Sequence, residues 1–275
     1  MTKEAHGANG VATRSAERGT PGIDVTRTGR IFGWLFIGTF VTSIPARLLF
    51  VHGVHASWSD MHFVPGATST ANLKLGALLE FGLIVTQLGT AIVIYPLVKR
   101  QSESVSLAYV SARTMESVFA AIGLISIISV VSIAEALSGA QGAGATALAA
   151  QGNSLVHTYQ WAFTWGPGLV AGIGNGMLLG YLMYRSRLVP PRMALLGLVG
   201  GPLLVVSFLL KLTGVYDSGS TADGLLTLPE AAWELALGIY CAWKGFRTDS
   251  PIVRREITLP AQTSRTSPVQ ETVTT

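Results

Sequence analysis

Charge is scarce in this chain. Of its 275 residues only 12% are Asp, Glu, Lys or Arg, and 49% are hydrophobic, whereas a soluble globular domain carries about 25% charged residues. A water-soluble surface needs that polar coat, so the composition excludes an ordinary soluble domain. Cysteine is almost missing: Cys241 is alone, which excludes an intramolecular disulfide. Several chemical signatures are missing as well. There is no Walker loop, no Gly-rich strand–turn–helix fingerprint and no nucleophile elbow. No repeat of about 20–50 residues and no two-half symmetry of an inverted-repeat transporter stands out. The first thirty residues are polar and lack an early apolar core, so they do not read as a signal peptide.

What is present is a series of six apolar stretches, with mean hydropathy +0.47 over the chain. They run over residues 31–51, 75–98, 110–133, 163–184, 193–213 and 226–246. Each is close to the roughly 20 residues that cross a hydrocarbon core of about 30 Å. Lipid offers no partner to unpaired backbone groups, and these runs lack strand-like alternation, so helix is the expected form. The expected fold class is therefore all-α: a polytopic six-transmembrane-helix bundle over residues 30–247. The flanking segments 1–29 and 248–275 read as disordered tails, because they are polar and, at the carboxyl end, rich in Ser, Thr and Pro.

All but four of the 19 Lys and Arg fall in alternate connections. The amino tail holds Arg27 and Arg30 among others, the second connection Lys99 and Arg100, the fourth Arg185, Arg187 and Arg192, and the carboxyl tail Lys244, Arg247 and Arg254 among others. Lys and Arg mark the cytoplasmic face, so both termini are expected inside. Aromatics agree: Trp34, Tyr95, Tyr184 and Trp243 fall at the inner boundary, and Trp58, Trp161, Trp165 and Tyr216 at the outer. The net charge of +4 does not indicate nucleic acid, because the basic residues flank apolar spans instead of lining one soluble face.

The fourth stretch carries Gly172, Gly176 and Gly180 at intervals of four, a flat face for close helix approach. Packing within the chain is one use of that face; a homodimer is the other. Pro45 and Gly200-Gly201-Pro202 are the expected kink sites, with Pro167 and Pro229 placed near helix starts.

Ionisable residues inside spans are costly and usually face the bundle interior in pairs. The candidates are Arg47, Glu80, Arg113, Glu116, Lys211 and Glu234. Alternating span direction puts Arg47, Glu80, Lys211 and Glu234 in the outer half, with Glu230 above Glu234 on the same face and Gln87 continuing the Glu80 face. Arg113 and Glu116 form a separate i,i+3 pair in the inner half. These charges read either as structural ion pairs or as a polar pocket for a small ligand or ion, or as a proton relay. The first outer connection holds His52, His55, Asp60 and His62, all competent zinc ligands, although their spacing matches no helical zinc-protease motif. An ordinary polar loop is the other reading.

Arg27-Thr-Gly-Arg30 before the first span, Arg113-Thr-Met-Glu116, Gly180-Tyr-Leu-Met-Tyr-Arg185-Ser followed by Pro191 and Leu195-Leu196-Gly197, and Glu234 ahead of Trp243-Lys-Gly245 form an ordered set. Over residues 24–247 it resembles the bacterial domain of unknown function 4386 family of six-helix integral membrane proteins. The resemblance implies a fold and a membrane location and carries no reaction. The expectation is a non-enzymatic membrane protein, without cofactor, that binds or passes a small solute through its polar cluster. The rival is a membrane-embedded, metal-dependent hydrolase using the His/Asp cluster.

Overall fold

The computed structural model describes residues 23–54 and 61–258, with side chains to Arg254. Among the described residues every regular element is helical: α1 (Val25–Gly53), α2 (Thr70–Val98), α3 (Glu103–Leu137), α4 (Gly142–Phe163), two π-helical segments (Thr164–Val170 and Gly172–Leu179), α5 (Gly180–Ser186), α6 (Pro191–Leu212), α7 (Thr221–Lys244) and α8 (Pro251–Thr258). The residues before α1, α2, α3 and α7 are Asp24, Ser69, Ser102 and Ser220. Each side chain accepts from a backbone N–H of the first turn, which satisfies a donor the helix itself cannot. α5 stops at Arg187, whose φ of 55° is left-handed, and Pro191 opens α6 at a position where its missing N–H costs nothing.

From Gly142 to Ser186 the backbone stays helical without a break, so α4, the π-helical segments and α5 form one rod. The rod takes in most of the small-residue stretch before residue 150, because α4 begins at Gly142, and it corrects one expectation. Pro167 therefore lies inside a helix, not near its start. The rod absorbs the lost hydrogen bond by widening to π geometry, in which Ala171 N–H reaches back to Gly166 O. Pro229 is likewise interior to α7.

The rods pack antiparallel in chain order and close into a ring. Ion pairs and close contacts join α2 to α3 through Lys74–Glu135 and α6 to α7 through Lys211–Asp223. Glycines set the tightest seams. A Cβ on Gly33 of α1 would lie 2.1 Å from Ala242 N of α7, which closes the ring. A Cβ on Gly176 would lie 2.3 Å from Gly201 Cα of α6, and one on Gly172 2.9 Å from Gly201 O. The three glycines read from sequence as a flat face are thus buried against α6. A second copy could use that face only by displacing α6.

At the end holding Arg30, Arg100, Arg185 and Arg192, the centre of the ring is plugged by Phe32, Phe36, Ile94, Tyr109, Leu182 and Trp233. A second apolar cluster around Phe50, Leu73, Ile127 and Tyr159 holds α1 to α4 together at the other end. The outside is apolar too: Val41, Leu78, Ile92 and Ile125 are all more than 60% exposed, and on α7 so are Leu225, Leu228 and Trp243. α1, α2, α3 and α6 are long and apolar enough to cross a membrane.

The segment after residue 248 corrects the expected structureless tail. Ser250 Oγ donates to Ser186 O at 2.6 Å, Arg247 N donates to Leu188 O at 2.9 Å, and Ile252 is buried in the core beside Phe246. These anchors give α8 an apolar face to dock. The tail segments 1–22 and 259–275 lie outside the described residues.

Candidate polar cavity

Five side chains on neighbouring rods make the best-connected polar group. On α3, Arg113 and Glu116 are one turn apart and face inward; Arg113 Nη1 donates to Glu116 Oε2 at 2.7 Å, with both side chains buried. α2 supplies the rest. Gln87 Nε2 donates to Glu116 Oε1 at 2.9 Å, and Arg113 Nε donates to Thr90 Oγ1 at 3.2 Å. Ser117 Oγ closes the set by donating to Gln87 Oε1 at 3.1 Å. The Phe36 ring lies 5.2 Å from the Arg113 guanidinium carbon, a cation–π contact that helps the charge tolerate burial.

On α7, Glu234 Oε1 accepts from Asn175 Nδ2 at 2.5 Å. The neighbouring Trp233 Nε1 donates to the Asn175 carbonyl at 3.0 Å. The π-helical segment and α7 are therefore clasped at one residue, Asn175. Glu230, one turn before Glu234, is buried, and neither of its oxygens accepts a hydrogen bond. Its Oε2 is lodged where a Cβ on Gly176 or Gly200 would lie 2.6 or 2.9 Å away.

Gln87, Arg113, Glu116, Glu230 and Glu234 line a cavity of about 920 Å³ inside the ring. Arg113, Glu116, Glu230 and Glu234 form its deep part, and Trp161, Tyr216 and Asp217 its rim, at the end opposite the arginine-rich one. Arg47 is in the wall, its guanidinium carbon 5.2 Å from the Tyr159 ring centre and 4.9 Å from that of Phe163.

Asp223 organises the mouth. Lys211 Nζ donates to it at 2.9 Å, Ser207 Oγ at 2.8 Å and Gly219 N at 2.9 Å. Tyr216 Oη in turn donates to Ser207 Oγ at 2.8 Å. Burial alone would push the Asp223 carboxyl up, but the donors from Gly219, Lys211 and Ser207 outweigh it and hold the group below the ordinary 3.8.

The structure rearranges the expected charge cluster. Arg47, Lys211 and Glu234 do face one cavity, but Arg113 and Glu116 face it as well and are not a separate inner pair. Lys211 is paired with Asp223. Glu80 is buried on α2 as an electrostatic neighbour of Arg47, outside the cavity wall. Sequence reasoning missed Asp223 and Asn175. Asp223 was legible as the third residue after a Ser helix cap, Ser220-Thr-Ala-Asp, and Asn175 as the one amide in a run of glycines and apolar residues.

Of the candidate metal ligands, His52 and His62 fall among the described residues. His52 Nδ1 donates to Leu48 O of its own helix at 2.7 Å and is exposed, and His62 is exposed on the connection to α2. His55 and Asp60 lie outside the described residues. No group of three His, Cys, Asp or Glu suited to a metal ion occurs among the described residues.

Apolar side chains outside, ions within, and several helices of membrane-crossing length define a multi-pass membrane protein. The chain belongs to the family described as Domain of unknown function (DUF4386), whose model matches residues 31–245. No curated protein and no solved structure matches it.

Proposed function

We propose that the protein crosses the plasma membrane six times with both termini in the cytoplasm, and that its cavity binds a small polar solute from the outer side. The carrying observation is a cavity of about 920 Å³ lined by ionic side chains, within the size range of small-molecule sites. Its rim lies at the end of the bundle opposite Arg30, Arg100, Arg185 and Arg192. Two further features support six crossings. α7 exposes Leu225, Leu228, Leu235, Ile239 and Trp243 on one face, and the fourth rod exposes Trp165, Ile173, Met177 and Tyr181, so both present apolar surface to lipid. The plug of Phe36, Tyr109 and Trp233 closes the inner end, which favours binding over free passage in this state.

The test uses the lone native thiol. In a Cys241→Ala background, the thiol introduced by Thr227→Cys, in the cavity wall, should react with a membrane-impermeant maleimide added outside intact cells. One introduced by Leu237→Cys, in the plug, should not. Reaction of the Thr227→Cys thiol only in inside-out vesicles would refute the orientation, and no reaction from either side would refute the open cavity.

A further inference from the structure

Two cations of the cavity are held by carboxylates of their own. Arg113 is held by Glu116 at 2.7 Å and Lys211 by Asp223 at 2.9 Å. Glu230 and Glu234, one turn apart on α7, both line the cavity and form no ion pair within 4.0 Å among the described residues. Glu234 receives only the neutral Asn175 amide. Glu230 is 2% exposed, and neither of its carboxyl oxygens has a donor.

A second observation falls at the same spot. Asn175 Oδ1 is also buried without a donor, and its chain neighbour Gly176 lies against Glu230 Oε2. Native proteins rarely bury acceptors without partners, because each loses its hydration. Here three such acceptor atoms, two of them on one carboxyl group, occur where α7 meets the π-helical segment. An ammonium group has three N–H donors and no acceptor, so it supplies what these atoms lack.

We propose that Glu230 and Glu234, the latter held by Asn175 from outside the cavity wall, form the recognition end for a small organic cation carrying an ammonium group. The inference rests on the cavity being a solute site. Volume separates an organic cation from a bare ion: about 920 Å³ far exceeds what one ion fills. Leu83, Phe163 and Leu204 in the wall offer apolar surface to a carbon skeleton. Arg113 Nη2 is a buried donor without an acceptor, and it is a feature that would favour an anion. Its charge, however, is already balanced by Glu116, which leaves the α7 carboxyl groups beside it as the ones without a cationic partner within 4.0 Å among the described residues.

The experiment uses the purified full-length chain carrying Cys241→Ala and Thr227→Cys, and reads how a probe slows alkylation of the cavity thiol. The probes are pentylammonium, pentanoate and pentanol, equal in length and different in charge, at matched millimolar concentrations. Pentylammonium should slow alkylation tenfold or more, and the other two by less than twofold. Glu230→Gln and Glu234→Gln should each weaken that protection at least tenfold. A second comparison leaves the acids intact: butyltrimethylammonium, a cation without N–H donors, should protect at least tenfold less well than pentylammonium. Protection by pentanoate, equal protection by the two cations, or protection that survives in the double Gln variant overturns the assignment. So does no protection by any probe while the thiol of the purified chain still reacts, a result that leaves the open cavity standing. A thiol that reacts from neither side of the membrane brings down the solute site itself.

Discussion

Arg113 and Glu116, one helical turn apart on α3, face each other at 2.7 Å with both side chains out of solvent, and Gln87 and Thr90 of α2 add one hydrogen bond to each. Removing one member of a buried pair strands the other charge, which costs about 3–5 kcal/mol. Arg113→Met alone should therefore destabilise the protein by that order in a reversible unfolding titration in mixed micelles. Arg113→Met combined with Glu116→Met should cost less than the single change, because no charge is then left alone. Equal or additive losses would show that the pair does not act as a unit.

The seam between the π-helical rod and α6 should tolerate no side chain. A Cβ at Gly176 would meet the Gly201 backbone at 2.3 Å, whereas one at Gly168 would meet nothing within 4 Å. Gly176→Ala should cost about 1–3 kcal/mol or more, since backbone must move. Gly168→Ala should be neutral or stabilising by about 0.5–1 kcal/mol, as expected when a helical glycine gains a methyl group. Thermal denaturation of the two variants in one detergent gives the comparison.

The mouth of the cavity should respond to acid. Asp223 titrates below the ordinary carboxylate value of 3.8 in the folded protein. Its contribution is therefore complete above that value and is lost as the pH falls below it, through the lower folded value. Backbone exchange of the connection 213–220, taken relative to an unstructured peptide at the same pH, should be unchanged from neutral pH down to about 4 and should quicken below. In Asp223→Asn the connection should exchange faster at neutral pH and lose this acid dependence.

At the other end, α8 should depend on one hydroxyl. Ser250 Oγ is buried and donates to the Ser186 carbonyl at 2.6 Å. Ser250→Ala leaves that contact unmade, a loss of about 1 kcal/mol, or roughly fivefold in the population of the undocked helix. Tryptic cleavage after Arg254 should accelerate by that factor while the rest of the bundle stays intact.

The places where sequence reasoning succeeded share a cause. Apolar runs of about 20 residues locate helices because lipid demands them, and each expected segment lies mostly within a rod or α-helix. Arg113 and Glu116 were legible as a pair because their spacing puts them on one face of one helix. The partner of Lys211 was not legible because it comes from the next helix across a turn, and nothing local in the sequence fixes the rotation of α7 against α6. The fourth rod runs further at its amino end than its apolar stretch. Residues 142–162 include many small and polar residues, which weaken the apolar signal without weakening the helix. Glu230 was visible as an acid in an apolar run, but only the packing of Gly176 and Gly200 around it shows that it has no partner.

The helices of the ring are unequal. From the arginine-rich end, α3 rises 35 residues, about 52 Å, whereas α6 rises only 22, about 33 Å. One flank of the ring is thus a parapet about 20 Å taller than the other, and the doorway is cut on the low side, over Tyr216 and Asp217. An antibody fragment raised against the crest near residues 138–144 would ride the protein without obstructing it. One raised against residues 213–220 would act as a stopper.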